Sequence, residues 1–403
     1  MRGRFIQQDS LRDPRNIGLT TIVLKYAPSP AALLLLALGL PREWALFLVP
    51  PLMMVLVVQG RSNLLQDLQS KFLLIGPLAL PAAFALMAHP ADASRLAGLV
   101  ILIVLFPYRG IGTNLLGEAC LILIAYICLF QIGILCNLTP LIAFRDSYYP
   151  IEVNFWGEAT LDFGYNGFRA FRAAGLFYNP NVMAIMLFFP YVIFALKLRK
   201  PFGGALHSAL AGFIFLTLIL TGCRVYLIAF ILIILLCAVA SRAVRATLAL
   251  ALVLIGVGYV REFVFADFVN SSGSMAIKMN IFSAYLQNSV KSISGVISLI
   301  VGGTYDLQFD ADVGYVVGAW GLLGAFASVA ILVWVCSRYP GAWRVIVPIY
   351  FTSFANSLYF SLLTSPLLVL VILAIAGKGV VLGASDALMP RRPTRLSGAV
   401  VQR

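Results

Sequence analysis

Charge is scarce in this sequence: 11% of its 403 residues are Asp, Glu, Lys or Arg, against 61% that are hydrophobic. A soluble globular domain carries roughly twice that share of charge. Lipid rather than water is therefore expected to cover most of the chain. Histidine occurs only at His89 and His207, each at the edge of a short loop and on opposite sides of the expected topology, which argues against a His-based triad or metal cluster. The cysteines at 120, 128, 136, 223, 237 and 336 form no CxxC pair and sit in or beside apolar runs. They read as small packing residues, not as a disulfide or zinc framework. A P-loop, a Rossmann fingerprint and an HExxH motif are all missing, so ATP-driven transport and metal-dependent hydrolysis lose support, and neither metal nor cofactor is expected.

Long apolar runs dominate, and the mean hydropathy is +0.96. Polar punctuation divides them near 24–40, 44–59, 72–88, 96–107, 115–136, 176–196, 204–221, 225–240, 246–260, 312–335, 345–362 and 366–383. The expected fold is all-α, a polytopic transmembrane helical bundle of about twelve helices forming a single integral membrane domain over 1–403. The polar, basic stretch Met1 to Arg15 reads as a cytoplasmic segment rather than a cleavable leader.

The net charge of +13 could suggest nucleic acid, but Lys and Arg fall in short clusters between the apolar runs. With the N-terminus inside, 20 of the 29 lie on cytoplasmic segments and 9 outside. That is the positive-inside bias, and it places both termini in the cytoplasm.

Two long connections fall outside, approximately 137–175 and 261–311. Loops of this length are usually functional or disordered. The first carries Tyr148, Tyr149, Phe155, Trp156, Phe163, Tyr165, Phe168 and Phe171, rings suited either to interfacial anchoring or to stacking on sugars.

Arginine on the side that normally lacks it is the informative exception. Arg169 and Arg172 precede Gly175 and the Asn179-Pro180-Asn181 step, Arg224 sits in Thr221-Gly222-Cys223-Arg224, and Arg261 opens the second loop. Such residues either snorkel to headgroups or line an anionic site. A guanidinium stays charged and forks two donors onto phosphate oxygens. Pro180 suits the first turn of a helix with Asn179 as its cap, a plain helix start or an anion-favouring one. Asp306, Asp310 and Asp312 lead into Gly314-Tyr315 and then Gly318, Gly321 and Gly324. These carboxylates are either solvated loop charges or a base that accepts a hydroxyl proton; the glycines suit close helix packing.

Arg172-Ala-Ala-Gly175 followed by Asn179-Pro180-Asn181 resembles the signature of bacterial O-antigen polymerases and ligases. Thr221-Gly222-Cys223-Arg224 and Asp312-Val-Gly314-Tyr315 with Gly321 and Gly324 are similar to that family's later motifs, in order and spacing from Arg169 to Gly324. The resemblance implies a GT-C-like, metal-independent glycosyltransferase of the bacterial inner membrane with its active site at the periplasmic face. It implies a donor of undecaprenyl-pyrophosphate-linked glycans, and a chain-length regulator and a flippase of the same pathway as partners. It assigns Arg172 and Arg224, with Arg169 and Arg261, to pyrophosphate. Gly175, Asn179, Asn181 and Tyr315 would shape the pocket, and Asp312, or else Asp310 or Asp306, would activate the acceptor hydroxyl. Two departures stand out. The ligase branch carries a histidine near the second periplasmic loop, and 261–311 holds none, which favours polymerisation of repeat units into O-antigen, capsular or exopolysaccharide. Cys223 stands where Ser is commoner, so a hydroxyl there is not essential. The alternatives kept open are a ligase and a flippase or transporter of lipid-linked oligosaccharides.

Overall fold

Ser29 and Pro30 show how the first helix begins. The Ser29 Oγ accepts a hydrogen bond from the Ala32 N–H at 3.2 Å, and proline occupies the first helical position, where its missing N–H costs nothing. The computed structural model describes residues 28–40, 42–59, 113, 115–148, 177, 180–198, 202, 204–238, 274–302, 312–339, 341–352 and 364–378. All regular structure among them is helical: α1 (Pro30–Leu38), α2 (Arg42–Gln59), α3 (Leu116–Leu135), α4 (Thr139–Tyr148), α5 (Pro180–Lys197), α6 (Ala205–Thr221), α7 (Arg224–Ala238), α8 (Ser274–Ser289), α9 (Ile293–Val301), α10 (Asp312–Arg338), α11 (Trp343–Phe351) and α12 (Thr364–Lys378). The expected spans at 72–88, 96–107 and 246–260 lie outside the described residues.

α5 sits at the centre because it has no polar face. Every residue from Met183 to Leu196 is buried, as expected of a helix that is apolar all round. It packs against α3, α6, α7 and α12. α12 is similarly enclosed from Leu367 to Ile375. The outer surfaces reverse the soluble pattern: Phe47 is 81% exposed and Phe326 71%, and Leu129, Leu216 and Val333 also face outward. Among the described residues one helical stretch, Leu116–Ile134, is long and apolar enough to cross a membrane. Five shorter apolar ones are Phe47–Leu56, Asn181–Lys197, Ala205–Thr221, Val225–Cys237 and Pro366–Ala376.

Side-chain contacts fix the directions of the helices around α5. Gly117 lies beside the Lys197 Cβ, and the Cys120 sulfur meets the backbone of Phe194, so α3 and α5 are antiparallel. Tyr191 meets His207 across α5 and α6, which are antiparallel too. Phe188 packs on Tyr226 and Tyr191 on Phe230, with ring centroids 5.4 and 4.9 Å apart, making α5 and α7 parallel. Consequently the C-terminal ends of α3 and α6 and the N-terminal ends of α5 and α7 share one end of the bundle.

Both long connections prove to contain helices. α4 occupies the start of 137–175 and packs on the last turns of α3, with Leu141 against Gly133 and Phe144 5.7 Å from Phe130. The second connection holds α8 and α9. α9 is seated on its small-residue side: Gly295 lies against the Ser289 carbonyl, and its C-terminal end abuts Gly321 of α10. Ile293, Val296, Ile297 and Ile300 consequently point outward, Ile293 at 82% exposure. α10 is broken at Gly321, whose φ of 66° and ψ of −173° are not helical. A Cβ there would overlap the Ile300 carbonyl oxygen, so glycine is required on both counts.

Candidate functional site

The turn Thr221-Gly222-Cys223 sets the position of Arg224. Gly222 ends α6 in the left-handed region, at φ 62°, a conformation glycine adopts without a Cβ penalty. The fully buried Thr221 hydroxyl donates to the Leu218 carbonyl at 2.7 Å and accepts from the Cys223 N–H at 3.2 Å. This clamps the backbone so that Arg224 becomes the first residue of α7. Pro180 likewise opens α5, with Asn181 half-buried in its first turn. Two parallel helices thus present their N-terminal turns at the same bundle end. The first N–H groups of any helix have no intrahelical acceptor and carry partial positive charge, an arrangement suited to phosphate oxygens.

Arg224, Asp312 and Tyr315 are placed by their backbone, at the starts of α7 and α10. Arg169, Arg172, Gly175, Asn179, Arg261, Asp306 and Asp310 lie outside the described residues. Asn181 and Arg224 are brought to one end through α5 and α7. α10 packs on α9 and touches α11.

Gln131 was not singled out from the sequence and belongs to the same end. It lies one turn from the end of α3, is 3% exposed, and its Oε1 accepts no hydrogen bond among the described residues. Nothing in the sequence marks it, because a lone glutamine in an apolar run is as readily an ordinary packed side chain. Only the packing of α3 on α5, with α6 reached through Cys128 and Thr217, makes it informative.

The opposite end holds a polar cluster of a different character. The Tyr191 hydroxyl lies 2.7 Å from His207 Nε2, and Phe202 flanks the imidazole. Lys197 donates to the Thr113 hydroxyl at 2.5 Å, within electrostatic reach of Glu118. These groups satisfy one another, as buried polar side chains generally do. Among the described residues no group of His, Cys, Asp and Glu could hold a metal ion.

No family model matches this chain, and neither the curated proteins nor the solved structures contain a match to it.

Proposed function

We propose that this protein is a membrane-embedded, metal-independent glycosyltransferase. It polymerises undecaprenyl-pyrophosphate-linked oligosaccharide repeat units into O-antigen, capsular or exopolysaccharide at the periplasmic face of the inner membrane. The observation carrying this reading is the pairing of the α5 and α7 N-terminal turns, with Arg224 leading α7. The positive-inside charge bias supports that end as the outer one. In the reaction the anomeric carbon of the donor loses its bond to the pyrophosphate oxygen and gains one to an acceptor hydroxyl. The departing undecaprenyl pyrophosphate gathers negative charge, which helix N-terminal N–H groups and the guanidinium groups of Arg172 and Arg224 stabilise without a metal. The hydroxyl proton passes to a carboxylate, for which Asp312 is the first candidate, ahead of Asp310 and Asp306.

The test supplies purified protein with an undecaprenyl-pyrophosphate-linked repeat unit and neither nucleotide nor metal. Growth of a glycan ladder is expected, and Arg224→Ala should reduce its rate by about 100-fold or more, the scale of losing a transition-state charge partner. Translocation of the lipid without elongation would favour a flippase, and transfer only to lipid A core a ligase. Either outcome sinks the polymerase reading.

A further inference from the structure

The buried stripe of α3 runs Cys120, Ile124, Ile127, Cys128 and Gln131, and its two cysteines report which neighbours it faces. Cys120 meets the backbone of Phe194 in α5, whereas Cys128 meets the Thr217 side chain of α6. At about 100° per residue, Gln131 falls about 20° from the direction of Cys120 and about 60° from that of Cys128. It therefore faces α5, on the side where α6 adjoins. Because α3 and α5 are antiparallel, stepping along both from Cys120 and Phe194 brings Gln131 level with Met183, in the first turn of α5. A carboxamide oxygen that is buried and accepts no hydrogen bond destabilises the fold, and leucine at this position would avoid that.

We infer that Gln131 is a binding residue for the sugar attached to the donor's pyrophosphate, an inference that rests on the function proposed above. Its Oε1 is an acceptor, so it cannot pair with phosphate oxygens, which are acceptors too. It takes a hydroxyl or amide N–H of the sugar. The neighbouring α5 turn offers the complementary groups, N–H donors for phosphate. Acceptor and donors at one level match the two halves of a glycosyl pyrophosphate, and they distinguish a sugar-bearing lipid from the bare carrier released after transfer.

The experiment measures binding to the protein in lipid nanodiscs, wild type against Gln131→Leu. Three probes are used: undecaprenyl pyrophosphate, and the same lipid bearing N-acetylglucosamine or galactose. Wild type should bind at least one sugar-bearing lipid about tenfold more tightly than the bare one, the scale of one buried hydrogen bond with its unpaired alternative. Gln131→Leu should lose that preference while binding the bare lipid as before, and its thermal unfolding midpoint should equal or exceed that of wild type. A retained preference in the variant, or a midpoint several degrees lower, would overturn the assignment, the second by showing that the carboxamide is bonded within the fold. Equal wild-type binding of all three lipids sinks this inference alone. Binding of none sinks the donor reading along with it.

Discussion

At Gly321 two constraints coincide: a backbone conformation reserved for glycine, and contact with the carbonyl of Ile300 where a side chain would sit. Strained backbone of this kind costs about 1–3 kcal/mol, and steric overlap adds to it. Gly321→Ala should therefore lower the thermal unfolding midpoint of the purified protein by several degrees or abolish its accumulation. Gly212 supplies the contrast, since it lies inside α6 with nothing within 4 Å of where a Cβ would sit. Gly212→Ala should leave the midpoint unchanged or raise it, because alanine favours a helix interior by about 0.5–1 kcal/mol. Equal effects at the two glycines would refute the packing assigned to α9 and α10. The sequence shows Gly321 only as one of a series with Gly314, Gly318 and Gly324. What distinguishes it is contact with a segment about 20 residues earlier in the chain, and local pattern carries no trace of such a contact.

Among elements, those with strong punctuation were readable before the fold was known. Gly204 and Gly222 bracket α6, Pro180 opens α5, and the expected span 115–136 agrees with α3 within one residue at each end. α4 and α8 escaped because their mixed polarity breaks any run long enough to register as a span. α9 escaped for the opposite reason, being apolar but only nine residues long. Its outward stripe of Ile293, Val296, Ile297 and Ile300 has the i, i+3, i+4, i+7 spacing of an amphipathic helix. No carboxylate occurs from Ser274 to Gly302, whereas Lys278 and Lys291 do, a charge pattern compatible with anionic headgroups. A polarity-sensitive fluorophore on Ile297→Cys, in a background without the native cysteines, should emit as in hydrocarbon when the protein is in nanodiscs. Lipid-borne quenchers should dim it. Water-like emission indifferent to those quenchers would show that the stripe does not meet lipid.

For the whole molecule, orientation is the expectation with the widest consequences. The end shared by the C-terminal turns of α3 and α6 and the first turns of α5 and α7 also carries Cys136, which is exposed, while the other five cysteines are buried or half-buried. In intact cells stripped of their outer membrane, an impermeant maleimide should label the protein, and Cys136→Ser should remove most of that labelling. Labelling of Cys136 only after the inner membrane is breached would invert the topology and move the proposed site to the cytoplasm. The count of apolar runs and their charge bias were legible because they depend on composition along the chain. The pairing of α5 with α7, and of Gln131 with the first turn of α5, depends on which helices become neighbours. The enclosure of α5 also bears on how the protein is made. α12, one of the helices that flank it among the described residues, begins only at Thr364, so during synthesis the central helix waits with one side uncovered until the chain through α12 has emerged. A chain cut short before that point would keep an unfinished core, the kind of surface by which incomplete products are recognised and degraded.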